Sequence, residues 1–101
     1  MNNKIVYIAG RISGNEKYKE QFYEAENLLR EQGFLTINPA CLPDDLPPDR
    51  YMPICLAMVQ AADAVYMLDG WERSAGAQIE RSYALYQGKQ IYYESEVDND
   101  K

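Results

Sequence analysis

Four short apolar runs divide the chain, and the stretches between them carry apolar residues at helical spacing. Lys4-Ile5-Val6-Tyr7-Ile8-Ala9 is the first run, rich in β-branched residues, and it predicts a strand buried on both faces. Gly10 ends it, and Arg11 to Gly14 form a polar turn. From Asn15 to Gln32 the period changes. Tyr18, Phe22, Ala25 and Leu29 recur at spacings of three and four, which predicts a helix capped by Gly33. Phe34 to Asn38 reads as a second strand. Pro39 to Asp49 holds four prolines and three aspartates in eleven residues, and reads as a loop. Such a loop is either a lid or wall of a pocket, or a rigid connector. A second helix is expected over Tyr51 to Ala61, with Ile54, Met58 and Ala61 as its apolar stripe and Pro53 in its first turn. Ala64 to Leu68 is the third strand run. Ala75 to Gln87 predicts a third helix, closed by Gly88, with Ile79 and Tyr83 marking its core stripe. Gln90 to Tyr93 is a fourth strand, and the acidic residues Glu94 to Lys101 read as a frayed tail.

Strands alternating with helices through short links imply a parallel sheet with helices on both faces. The expected fold is therefore an α/β single-domain three-layer sandwich. Its Rossmann-like or flavodoxin-like sheet has four to five strands in the order 2-1-3-4, built with right-handed crossovers. Ligands in such sheets bind beyond the carboxyl ends of the strands, here between the first and third. The loops at that place are Gly10–Gly14 and Asp69–Gly76, and both carry glycine.

Composition narrows the chemistry. The 101 residues suit one small domain. Nine tyrosines against two phenylalanines favour pocket walls and subunit contacts. A net charge of −6 argues against a nucleic-acid duplex or an anionic membrane as partner, but not against a small anionic ligand. No stretch is long and apolar enough to span a membrane, and the N-terminus opens on a strand rather than a signal peptide, so a cytoplasmic protein is expected. Cys41 and Cys55 lack metal-ligand spacing and read as idle thiols, and there is no histidine. A Ser-His-Asp triad is thereby excluded, and no metal or cofactor is expected. Acid–base work falls to carboxylates, tyrosine or lysine.

Several residues at the expected ligand end can carry chemistry. Glu80 lies four residues after Gly76 on the third helix and so shares its face. Taken alone it also reads as a surface glutamate paired with Arg81. Ser74 is a good helix N-cap, and with the amides that follow it can hold an anion. Gly76 would let a ligand approach the backbone. Asp69 follows the third strand, Asp63 precedes it, and Tyr7 lies within the first. Trp71 can stack on an aromatic base or meet another subunit.

The stretches Tyr7-Ile8-Ala9-Gly10, Asn38-Pro39-Ala40, Ala62-Asp63, Leu68-Asp69-Gly70 and Ser74-Ala75-Gly76-x-x-x-Glu80 together resemble the nucleoside 2-deoxyribosyltransferase superfamily, and most of all its small DUF4406-type branch. The resemblance covers about residues 4 to 94 and implies a domain over 1–94 with an acidic tail over 95–101. It implies that Glu80 attacks the anomeric carbon, that Tyr7 orients Glu80, and that Asp63 serves protonation of the departing base. Gly10, Ser74 and Gly76 match sugar- or phosphate-facing positions. Serine at 74, where free-nucleoside transferases carry aspartate, looks like the nucleotide N-glycosidases, and Arg11 or Arg73 would add positive charge. The implied activity is cleavage or transfer of an N-glycosidic bond in nucleosides or their 5′-monophosphates through a glycosyl-glutamate ester. The alternative is a non-catalytic nucleotide-binding module. The resemblance also implies a homodimer or higher homo-oligomer. The late segment that completes a neighbour's site in those enzymes is reduced here to Glu94–Lys101.

Overall fold

The computed structural model describes residues 4–99. Four parallel strands form one sheet: β1 (Ile5–Ala9), β2 (Leu35–Ile37), β3 (Ala64–Met67) and β4 (Gln90–Tyr93), in the spatial order β2-β1-β3-β4. This is the order 2-1-3-4 expected from the sequence. The helices are α1 (Tyr18–Glu31), α2 (Pro48–Ala61), α3 (Ala75–Tyr86) and the short α4 (Glu94–Asn99). Among the described residues no helix is long and apolar enough to cross a membrane.

The strict alternation of side chains along β1 and β3 divides the core in two. Val6 and Ile8 join Ala64, Tyr66 and Leu68 on one face, where Phe22, Ala25 and Leu29 of α1 cover them. Tyr7 and Ala9 join Val65 and Met67 on the other, under Cys55 and Val59 of α2 and Ala77 and Ala84 of α3. Tyr7 pairs in register with Val65 at the middle of the sheet, so its ring enters the α2–α3 layer.

Four local readings differ from expectation. First, α1 begins at Tyr18 rather than Asn15. Asn15 spends its side chain on the Arg11 carbonyl, Gln21 and the Lys17 amide, and this local bonding competes with helix. Second, α2 begins at Pro48, which places Pro53 beyond the first turn. Its buried residues are Cys55 and Val59, while Ile54 and Ala61 face outward. Third, α3 turns Ala77, Glu80 and Ala84 inward, whereas Ile79 is 49% exposed. Small residues let this helix sit close to the sheet, and that outweighs the bulk of Ile79. Fourth, residues 94–99 form helix instead of a frayed tail, and the tail's last two residues lie outside the described ones.

A polar network fixes the start of the proline-rich segment. The Glu26 carboxylate accepts from Thr36 Oγ1 at 2.6 Å and from Asn38 Nδ2 at 3.1 Å. Buried Asn38 also accepts the Ala40 amide at 2.9 Å, starting a 3-10 turn over Pro39–Cys41. Burial pushes the Glu26 carboxyl up, but hydrogen bonds from Thr36, Asn38 and Arg30 outweigh it and hold the group below its ordinary value. Replacing Asn38 with alanine strands part of this network. We expect Asn38→Ala to lower the unfolding free energy by about 1–3 kcal/mol in urea titrations. An unchanged midpoint would mean that the network carries no stability.

Candidate active site

The loops beyond the carboxyl ends of β1 and β3 enclose a cavity of about 350 Å³. Gly10, Ile12 and Ser13 form one side, and Ser74, Gly76 and Glu80 of the α3 entry form another. Tyr51 and Met52 of α2 and the segment from Pro43 to Pro48 close the remainder, so the proline-rich loop is a pocket wall. Tight backbone contacts shape the entrance. A Cβ on Gly10 would stand 3.0 Å from Leu68 and 3.2 Å from Phe22, so only glycine fits without displacing core side chains. A Cβ on Gly76 would meet Met52 Sδ at 3.3 Å.

Glu80 is the chemical centre of this cavity. It is 5% exposed, and Tyr7, itself fully buried, donates its hydroxyl to Glu80 Oε2 at 3.1 Å. Burial pushes the Glu80 carboxyl up to about 7, while hydrogen bonds from Tyr7 and Cys55 oppose the rise. Burial also raises the Tyr7 phenol well above its ordinary value, and the Glu80 charge adds to this, so Tyr7 remains a donor. Near neutrality such a carboxyl is divided between its two forms. The ionised form can attack an electrophilic carbon and the protonated form can donate a proton.

Ser74 does cap α3: its Oγ accepts the Ala77 amide at 3.1 Å. Its own O–H is left available to a ligand oxygen, and the first amides of the helix have no intrahelical acceptor. Ala75 and Gly76, which carry two of those amides, line the cavity. At the far wall Asp44 Oδ1 accepts from Tyr18 Oη at 2.7 Å, and Lys19 Nζ lies 3.1 Å away. These bonds hold the exposed Asp44 below the ordinary carboxylate range, and Asp44 in turn pushes the Tyr18 phenol up to about 12.

Other expected site residues lie elsewhere. Asp63 is at the amino end of β3, where it accepts the Ile5 amide at 2.9 Å. The length of β3, roughly 13 Å at strand rise, separates it from the Glu80 loops. The expectation that it serves a departing base is corrected by this placement: its carboxylate ties β3 to β1. Asp69 donates its amide to Glu94 and accepts at its carbonyl from Gln21, outside the cavity lining. Trp71 stacks near Tyr93, with the Arg81 guanidinium 5.1 Å over its ring, and also stays outside. That same contact turns Arg81 away from Glu80. Arg11 donates to the Ser13 carbonyl and folds against Gly14. Arg73 is exposed, and among the described residues no lysine or arginine lines the cavity. Sequence reading missed Tyr18, Asp44, Tyr51, Met52 and Cys55. Tyr51 and Cys55 share a helix face at a spacing of four, which was the one available signal.

Residues 4–93 match the model of a family described as a domain of unknown function, DUF4406. Among solved structures the chain is similar to a 2-deoxyribosyltransferase from Leishmania mexicana, with 23% identity and a TM-score of 0.69. That alignment covers 89% of this chain and 63% of the other, so the chain spans under two thirds of that protein's length. At this identity the likeness establishes a common fold. No curated protein matches.

The raised Glu80 value has a testable sign. A carboxyl that ionises near 7 when folded and near 4.5 when unfolded favours the folded state most below the lower value. That contribution is lost as pH rises towards about 7 and stays lost above it. Glu80→Gln keeps an acceptor for Tyr7 without a charge. We expect it to stabilise the protein by on the order of 1–3 kcal/mol at pH 8, with the gain shrinking at about pH 4.5. Thermal melts of both proteins across this range check it, and a gain independent of pH would contradict it.

Proposed function

The chain belongs to the DUF4406 family, and from that premise we propose that it cleaves or transfers the N-glycosidic bond of nucleosides or nucleoside 5′-monophosphates, with Glu80 as nucleophile. The observation that carries this reading is the buried Glu80 carboxylate, held by Tyr7 and open to a cavity at the sheet's switch point. The similar fold of a deoxyribosyltransferase supports it.

In this scheme an ionised Glu80 oxygen attacks the anomeric carbon of the sugar. The bond from that carbon to the base nitrogen breaks, and its electron pair leaves with the base, which takes a proton from solvent. The sugar is left as an ester on Glu80. Water then attacks the same carbon, releases the sugar and restores the carboxylate, or a second base does so and completes a transfer. Tyr7 keeps one carboxylate oxygen fixed so that the other faces the sugar. Ser74 and the α3 amides suit the sugar's 5′ end, as a hydroxyl or as a phosphate. The apolar side chains of Ile12, Leu46, Tyr51 and Met52 suit a flat base.

One observation favours a second reading, a nucleotide-binding module without turnover. Asp63 is far from Glu80, so the cavity lacks the acid expected to assist base departure. We also propose that the chain assembles with itself, since the outer side of α3 carries Ile79, Leu85 and the 88% exposed Tyr86.

Incubation with a panel of deoxynucleosides and their monophosphates should release free base, and intact-mass analysis should find a deoxyribosyl adduct on Glu80. Glu80→Ala should abolish release, and Tyr7→Phe should slow it by about 10- to 100-fold. Ligand-dependent thermal stabilisation without base release from any member would establish the second reading instead.

A further inference from the structure

The cavity is lined by two acidic side chains and, among the described residues, by no lysine or arginine. One is the buried Glu80, and the other is the exposed Asp44 on the far wall. Asp44 is fixed from α1: Tyr18 Oη donates to its Oδ1 at 2.7 Å, and Lys19 Nζ donates to its Oδ2 at 3.1 Å. These bonds keep the carboxyl ionised, so it accepts hydrogen bonds and donates none. A carboxylate has about four acceptor positions, and these two donors leave about half of them open. The neighbouring polar side chains add acceptors rather than donors. Tyr18 spends its proton on Asp44, and Tyr51 directs its own to the Pro39 carbonyl at 3.4 Å. Pro43 and Pro48, on the same wall, have no amide proton to give.

With the anomeric carbon at Glu80 and the sugar's 5′ end at Ser74, the base extends towards this wall and its outer edge meets Asp44. We propose that Asp44 is a specificity-determining residue: it selects nucleobases that present an amino group on that edge, adenine and cytosine, over their carbonyl-bearing counterparts hypoxanthine and uracil. This rests on reading the cavity as a nucleoside site, and it adds the substrate class. An amino group fills an open acceptor position of Asp44 with a charge-assisted hydrogen bond. A carbonyl oxygen in the same place sets its lone pairs against a carboxylate, which is a repulsive element. The two members of each pair are nearly equal in size, so the apolar walls do not tell them apart. Water competes at the exposed Asp44, so the discrimination should be about 10-fold rather than the ~10⁴-fold of an enclosed polar site.

Glu80→Gln separates recognition from turnover. Calorimetric titration of this variant should show deoxyadenosine bound about 10-fold more tightly than deoxyinosine, and deoxycytidine more tightly than deoxyuridine by a similar factor. Adding Asp44→Asn keeps an acceptor for Tyr18 and supplies an amide donor for a carbonyl, so both ratios should fall to one or invert. Where base release is measurable, kcat/KM in the protein with Glu80 intact should follow the same ratios. Equal binding within the pairs while Asp44 is present overturns the proposal. So do ratios that survive Asp44→Asn, or a loss of affinity for all four nucleosides alike, which is what a wall that only closes the cavity would give. Selective binding that Asp44→Asn abolishes, with no base release from any substrate, removes the glycosidase reading and leaves this one standing. Base release at equal rates within each pair does the reverse, and neither binding nor release overturns both.

Discussion

The close seat of α3 on the sheet governs what this fold can do. Ala77 and Ala84 touch the strands with almost no side chain between backbone and sheet, and Glu80 occupies the stripe between them. A longer apolar residue at either alanine would lift the helix and give Glu80 access to water. Seated as it is, the helix keeps most of the Glu80 carboxylate out of solvent, with the Tyr7 hydroxyl donating to it and one side facing the cavity. The raised pKa of Glu80 is thus a product of helix packing rather than of a charged neighbour. The small residues and the carboxylate are parts of one device.

The strands and their order were legible because they depend on a simple signal. β1 and β3 are continuous apolar runs, and chain alternation with right-handed crossovers leaves few ways to arrange them. The helix faces were less legible. Ile79 has the apolar character that hydrophobic reading rewards, yet α3 turns alanines and a glutamate inward beside the half-buried Tyr83. Size complementarity against the sheet decided that face, and size complementarity is invisible without the partner surface. The same holds for α2, where Cys55 and Val59 displaced Ile54 from the core. Asp63 illustrates a different limit. Its place before β3 already puts it at the amino end of a parallel strand, away from the ligand loops, and the role expected of it came from the resemblance alone. The resemblance paired Tyr7 with Glu80, and the fold brings the two side chains into contact from positions 73 apart in sequence.

Ser74 keeps both of its expected meanings. It caps α3 through its oxygen, and that geometry leaves the hydroxyl proton for something else. The positive side chains anticipated nearby do not reach the cavity: Arg11 braces its own turn, and Arg73 is exposed outside the lining. The cavity thereby offers hydrogen-bond donors without a formal positive charge, which suits ligands whose polar groups need orientation more than neutralisation.

The proline-rich wall is fastened unequally at its two ends. Near Asn38 it is held by largely enclosed hydrogen bonds to Glu26, which solvent ions reach poorly. Near Asp44 it is held by an exposed aspartate against Tyr18 and Lys19, a contact that dissolved salt weakens. One end of the wall thus rests on a contact exposed to solvent ions, while the Glu80 end of the cavity rests on buried groups.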